Sequence, residues 1–203
     1  HKLPRNAPCL AHILKERGNI MTVKIETPLT KEKCASLKAG DIVKITGTIY
    51  TARDAAHKRM IEDYEKTGKF PFEMKDSIIY YAGPAPAKPG QAIGPAGPTT
   101  SYRMDAYAPF LLDMGEKGMI GKGARSIEVA QSMARNGAVY FAATGGAAAL
   151  ISNSIKSCEV IAYEELGAEA VHKLYVEDFP AVVVMDANGG NLYESEKAKY
   201  RKL

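Results

Sequence analysis

Three short stretches of the chain place a cation where a strand or loop gives way to the next element: TARDAAH (51–57), GPTTSYRMD (97–105) and IGKG (120–123). Arg53 stands at the start of an expected helix, where backbone N–H groups without helical partners already favour an anion. Arg103 opens a second expected helix, directly after the Thr99 and Thr100 hydroxyls and the open run GPAGP. Lys122 lies between Gly121 and Gly123, which allow backbone to approach a ligand closely. Guanidiniums bind carboxylates through paired hydrogen bonds, and an ammonium adds a point charge. Converging on one pocket, the three would suit a small di- or polycarboxylate. Asp54, His57, Thr100 and Asp105 are candidates for an outer layer around them.

Each residue also has an ordinary reading. An arginine in a helix's first turn is commonly solvated or paired with an acid, and Asp54 and Asp105 lie close in sequence. His57, beside Ala55 and Ala56, has the setting of a packed or capping histidine. Thr99 and Thr100 can back a turn and cap a helix, and Lys122 can be a surface lysine. Their co-occurrence is what favours a site. Other chemistries are excluded by pattern. EKGMIGKG is no phosphate-binding P-loop, since its leading glycine is misplaced and Gly123 replaces the required hydroxyl residue. ATGGAAAL lacks the dinucleotide spacing, and no HExxH, GxSxG or Cys/His zinc pattern occurs.

The bulk numbers fit a globular protein. The 203 residues are 46% hydrophobic and 25% charged, enough to bury a core without staples. A net charge of +4 suits an anionic substrate and is too weak to argue for nucleic acid. Cys9, Cys34 and Cys158 form no CxxC, and their wide spacing points to a reducing, cytoplasmic setting. Three thiolates could in principle hold an iron–sulfur cluster, but Cys34 sits in an amphipathic helix pattern. Buried, inert thiols are the better reading of Cys34 and Cys158. No apolar run nears the ~20 residues that span a bilayer, so no membrane partner is expected. Met21 reads as a natural start, with residues 1–20 an extension upstream of it or a non-native addition. A domain over 21–194 and a charged tail over 195–203 complete the division.

The elements that must position these residues read as follows. TVKIETPL begins as a strand, and Thr30 caps a short helix to Leu37. DIVKITGTIYTA alternates as a strand with a bulge or bend at Gly47, or as a tight strand pair. ARDAAHKRMIEDYEKTG reads as a helix with Ala55, Ala56, Met60 and Tyr64 inward, ended by Gly68. SIIYYAG is a short strand, and the following Pro/Gly-rich loop is functional or mobile. A helix is expected from about Tyr102 to Met114, then a glycine-punctuated segment EKGMIGKGAR. SIEVAQSMARNG is a helix capped by Ser126, and AVYFAATGG a strand entering a glycine turn. AAALISNSIKSC reads as helix, EVIAYEE as strand and LGAEAVHKLYVEDF as helix. PAVVVMDANGGNLYE reads as a hairpin turning at 188–190. Consecutive strands early and alternation later predict an α/β domain with a mixed sheet.

The same motifs, in this order, resemble the C-terminal region of class I fumarases, the iron–sulfur hydro-lyases, and the β subunit of L-tartrate dehydratase. The resemblance runs from ETPLT through GTIYTARDAAHKRM, YYAGPAPAKPGQAIGPAGPTTSYRMD, MIGKG and ATGGAAAL to FPAVVVMDANGGNLY. It implies a swivelling β/β/α fold and a hydratase acting on fumarate and (S)-malate. It also implies a [4Fe-4S] cluster held by three cysteines of an α subunit, with no metal held by this chain. The open iron of that cluster would bind the substrate hydroxyl and a carboxylate. By motif position, Arg53 and Arg103 would hold substrate carboxylates, Lys122 would add a third contact, and Thr99 would be the base at the malate C3 proton. Tyr102 stands where many relatives have a small residue. The chain alone would lack both cluster and activity. A hetero-oligomer with the α subunit is expected, with homodimerisation of the isolated chain as a further expectation.

Overall fold

A computed structural model describes residues 22–87, 89–143 and 148–195, with backbone alone for 148–150. The expected extension 1–20, with Cys9, lies outside the described residues, as does the tail from 196. The chain begins with strand β1 (Thr22–Glu26), helix α1 (Lys31–Ser36) and strand β2 (Ile42–Thr51). Helix α2 (Asp54–Thr67) and strand β3 (Ile78–Tyr80) follow, then a 3-10 turn (Ser101–Met104), helix α3 (Ala108–Asp113) and strand β4 (Gly118–Gly121). Helix α4 (Ile127–Asn136) and strand β5 (Val139–Ala142) precede helix α5 (Ala148–Ser154) and strand β6 (Ile155–Ala162). A second 3-10 segment (Glu164–Glu169) leads into the 15-residue strand β7 (Val171–Met185).

The sheet is mixed. Strands β1 to β5 are parallel to their neighbours, whereas β7 runs antiparallel to β5 and β6. Strand β7 also pairs with β2, from Ile42 opposite Val182 to Thr51 opposite His172. Strands β2, β3, β4, β5 and β7 therefore close a ring. The α/β architecture read from the sequence is what the structure has, and it agrees with the swivelling β/β/α fold that the resemblance implies.

Side chains alternate across this sheet with period two, as strand geometry requires. Ile78, Tyr80, Ile120, Val139, Phe141, Leu174 and Val176 face one buried cluster. Ile79, Tyr81, Met119, Tyr140, Val182 and Val184 face another, covered by Met60 of α2, Leu111 and Leu112 of α3, and Val129 and Met133 of α4. Burying a large apolar side chain contributes about 1.5–3 kcal/mol each, so the two faces together hold even short strands such as β3.

Several local readings hold. Thr30 and Ser126 cap α1 and α4, accepting the N–H of Lys33 and Val129. Gly68 ends α2 in the left-handed conformation. Gly47 (φ 121°) marks a register shift between β2 and β7, and a Cβ there would fall 2.1 Å from the Thr27 hydroxyl oxygen.

Others are corrected. The inner face of α2 is Ala56, His57 and Met60, with Ala55 and Tyr64 only half-buried. The single helix expected over 102–114 is a 3-10 turn and a separate α3, which starts around Pro109, a residue without a donor for a continuous helix. The glycine-punctuated segment contains β4. The helix expected over 147–158 stops at Ser154, and Ile155–Cys158 already belong to β6. The helix expected over 166–179 is a 3-10 segment and the first part of β7, because pairing with both β2 and β6 overrides local propensity. The hairpin at 188–190 returns through one bridge, Met185 to Asn191, before a helical turn at 192–195. Its turn is held by Asp186, which accepts the N–H groups of Asn188 and Gly190.

Candidate active site

The candidate residues gather at the carboxyl ends of three adjacent parallel strands, a usual place for ligands in sheets of this kind. Arg53 follows the end of β2, whose next residue Ala52 donates to the Tyr80 carbonyl at 3.2 Å. Thr99 is tied to the end of β3: its N–H donates to the Tyr81 carbonyl at 2.7 Å. Tyr81 in turn donates to the Ile120 carbonyl of β4 at 2.8 Å. Thr100 and Lys122 bridge as parallel partners, and the Ser101 N–H donates to the Lys122 carbonyl at 2.9 Å. The loop that carries the threonines is thus stitched to the ends of β3 and β4.

Arg103 leaves this loop on the 3-10 turn and meets the start of α2. Its Nη2 lies 2.5 Å from Asp54 Oδ2, while Asp54 Oδ1 lies 3.8 Å from Arg53 Nε. Arg53 Nη2 lies 3.0 Å from Glu169 Oε1. The arrangement reads Arg103–Asp54–Arg53–Glu169, cation and carboxylate in alternation. Asp54 Oδ1 and Arg53 Nε are buried without a hydrogen-bond partner among the described residues. Lys122 is exposed, and Thr99 and Thr100 are half-buried. Two guanidiniums therefore alternate with two carboxylates, Lys122 stands at the neighbouring strand end, and this side is open to solvent. Tyr102 and Ile127, the large apolar residues in the segments next to Arg103 and Arg125, are 66% and 72% exposed.

Comparison with known proteins decides the family. The chain matches the Fumarase C-terminus family over residues 4–196. It belongs to that family. It is 42% identical over 182 residues to a Methanocaldococcus jannaschii protein provisionally named L(+)-tartrate dehydratase subunit beta, covering 86% of this chain and 93% of that one. It is 38% identical over 180 residues to fumarate hydratase 2 of Leishmania major, covering 87% of this chain and 32% of the relative. With the anaerobic class I fumarate hydratase of Escherichia coli it shares 38% over 182 residues, 87% of this chain and 33% of that enzyme. The chain thus spans about a third of the length of the fumarate hydratases it matches, and nearly all of the tartrate dehydratase subunit.

In this fumarase C-terminal domain the outer-layer candidates divide. Asp54 joins the two arginines. Asp105 is a structural residue: Oδ1 accepts from Arg125 Nε at 2.6 Å and Oδ2 from the Ser126 N–H at 2.7 Å. His57 is buried, its Nδ1–H donating to the Arg53 carbonyl at 2.8 Å and its ring edge-on to Tyr81. Burial pushes its pKa down to about 4, against the opposing hydrogen bond, so the ring is neutral at pH 7. Cys34 is buried, and burial pushes its thiol up to about 12, while the half-buried Cys158 is also raised by burial. Among the described residues no three His, Cys, Asp or Glu side chains gather to hold a metal ion. The described thiols of this chain do not fit as ligands of an iron–sulfur cluster. Among the described residues no helix is long and apolar enough to cross a membrane.

Sequence reasoning missed three supports of this fumarase-family site. Ser101 Oγ accepts the Lys122 N–H at 3.0 Å and lies 2.8 Å from the Tyr140 hydroxyl, which donates to the Gly123 carbonyl at 2.9 Å. A Cβ on Gly121 would fall 2.0 Å from Ser101 Oγ, so this glycine is what lets the threonine loop lie against β4. Arg125, its side chain fully buried, stacks its guanidinium 5.2 Å from the Tyr81 ring centroid and 5.1 Å from that of Tyr140. Glu169 is the third. The hydroxyl of Ser101 and the arginine of GKGAR were visible as residue types; Glu169 carried no local signal.

Beneath this layer Glu116 is fully buried, with both carboxylate oxygens lacking a hydrogen-bond partner among the described residues. Burial pushes its pKa up to about 8, with Arg125 pulling the other way. Folded Glu116 therefore keeps its proton between pH 4.5 and 8, where an unfolded Glu116 gives it up, and stability falls as pH rises through that window. His57 acts at the other end: stability falls as pH drops below 6.5, because the unfolded histidine binds a proton that the fold refuses down to about 4. We expect Glu116→Gln to match the wild type near pH 5 and exceed it at pH 8, by a few kcal/mol at about 1.4 kcal/mol per pH unit. Urea midpoints across that range measure it, and parallel curves for the two proteins would show that Glu116 is ionised in the fold.

Proposed function

We propose that this chain is the β subunit of a two-component class I fumarate hydratase, catalysing the reversible hydration of fumarate to (S)-malate. The observation that carries this reading is the joining of Arg53 and Arg103 through Asp54, beside the loop of Thr99 and Thr100 that bridges to Lys122, at the carboxyl ends of β2, β3 and β4. Arg53 and Arg103 hold the substrate carboxylates, Lys122 adds a third contact, and Thr99 takes the C3 proton. Loss of that proton builds negative charge beside a carboxylate, and fixed cations lower the barrier. A threonine hydroxyl is a weak base unless its own proton is relayed onward.

The wall is open to solvent, with Lys122 exposed and Thr99 and Thr100 half-buried, so a partner can complete the site from that side. That partner is an α subunit carrying a [4Fe-4S] cluster, docked over the open face beside Tyr102 and Ile127. A second reading, the β subunit of L(+)-tartrate dehydratase, is favoured by the near-complete coverage of the relative provisionally named so. Both substrates present two carboxylates, and the same arginines serve either. A third, a non-catalytic anion-binding or assembly module, would keep the clamp without turnover.

The test is anaerobic malate dehydration, followed as fumarate absorbance, for the chain alone and mixed with its α subunit after cluster reconstitution. We expect activity only in the mixture. Turnover of tartrate but not malate moves the assignment to the second reading. A formed complex with an intact cluster and no turnover of either moves it to the third.

A further inference from the structure

Helix α2 begins on a residue that does not cap it. Ser, Thr, Asp or Asn usually fills this position, offering a side-chain oxygen to the first free N–H groups. Here Arg53 occupies it, and its side chain makes no capping hydrogen bond. The cap comes instead from Glu169, far along the chain: Oε2 accepts the Ala55 N–H at 3.3 Å. The other oxygen, Oε1, lies 3.0 Å from Arg53 Nη2. One carboxylate thus does two things. It caps the helix in place of the residue a guanidinium has displaced, and it fixes that guanidinium.

The surroundings hold Glu169 to this task. Three residues on, the His172 N–H donates to Thr51 Oγ1 at 3.2 Å, pinning the start of β7 to the end of β2. Opposite, a Cβ on Gly83 would fall 2.9 Å from the Ala168 carbonyl oxygen and 3.1 Å from Arg53 Cδ. Only a residue without a side chain lets the 3-10 segment come down onto Arg53.

We infer that Glu169 is the positioning residue of Arg53, setting the direction in which its guanidinium meets a substrate carboxylate. The inference rests on the proposed role of Arg53 as a carboxylate ligand. It requires a carboxylate specifically. Ala55 and Arg53 meet different oxygens of the carboxylate, and glutamine puts an N–H donor in place of one of them, so in this geometry it serves Ala55 or Arg53 but not both.

A double-mutant cycle separates positioning from mere capping, since coupled residues are not additive. In the assembled α–β enzyme we expect Glu169→Gln to lower kcat/KM about 10-fold or more, chiefly through KM, because a displaced clamp weakens substrate orientation. With Arg53→Ala already in place, Glu169→Gln should cost nothing further, to within about twofold. Glu169→Asp, with two acceptor oxygens one methylene short, should recover part of the loss. The same cycle is read without turnover by NMR titration of the chain with succinate. Equal costs of Glu169→Gln in both backgrounds, accompanied by a lower Tm, would reduce Glu169 to a helix cap and overturn the inference. Coupling in succinate binding, with no turnover of any dicarboxylate by the assembled pair, would uphold it and overturn the proposed activity. No succinate response near Arg53, in the chain alone or in the assembled pair, would overturn both.

Discussion

If the proposed function holds, we expect Arg103→Ala to lower the kcat/KM of the assembled α–β pair by about 10²–10³-fold, the usual loss when a preorganised charge partner of the reaction is removed. It does so with the fold unchanged. The side chain is 41% exposed, and among the described residues its ion pair is with Asp54, whose side chain is 30% exposed. Surface substitutions of this kind shift stability by about 0.5 kcal/mol or less. Arg103→Lys should recover little, because an ammonium cannot make two parallel hydrogen bonds to a substrate carboxylate. Steady-state kinetics on the reconstituted pair, beside a urea titration of the chain alone, give both numbers. A normal rate in Arg103→Ala would remove the residue from the site.

Arg125→Met has the opposite profile. Its side chain is fully buried, 2.6 Å from Asp105, between the rings of Tyr81 and Tyr140 and 3.2 Å from the Met119 sulfur. Removing it leaves the Asp105 carboxylate, among the described residues, with only the Ser126 N–H, and breaking a buried ion pair costs about 3–5 kcal/mol. The urea midpoint should fall accordingly with the slope of the transition preserved. The pair Arg125→Met, Asp105→Asn should be more stable than Arg125→Met alone, since no charge is then left without a partner. A loss below about 1 kcal/mol would mean that the ion pair only balances its own desolvation.

The contrast between these two arginines shows what a single sequence yields. Arg53, Arg103 and Lys122 were legible because each stands at a junction where a strand or loop ends, and such junctions between parallel strands fall at one edge of a sheet. The caps Thr30 and Ser126 were legible because capping is local. Arg125 was not, since its burial depends on Tyr81 and Tyr140 arriving from β3 and β5. Glu169 was hidden by LGAEAVHKLY, whose Leu, Ala, Glu and Lys read as helix. Double pairing, with β2 on one side and β6 on the other, makes that stretch the start of β7. Strand β4 was obscured by its own glycines, Gly118 and Gly121, one of which is required by Ser101. Local chemistry was readable where it acts locally. What depended on distant partners was not.

The ring closed by β7 also has a temporal side. Arg53, Arg103 and Lys122 are all synthesised before β7, yet β2 and β5 have no shared partner until it emerges. A nascent chain therefore carries these three candidate cations in an unclosed sheet with open strand edges, and such non-local pairing is slow to form. Strand β7 is what closes the ring. Until then the parallel edges of β2 and β5 are free to pair with other chains, which makes the interval before β7 emerges the most exposed stage in the life of this protein.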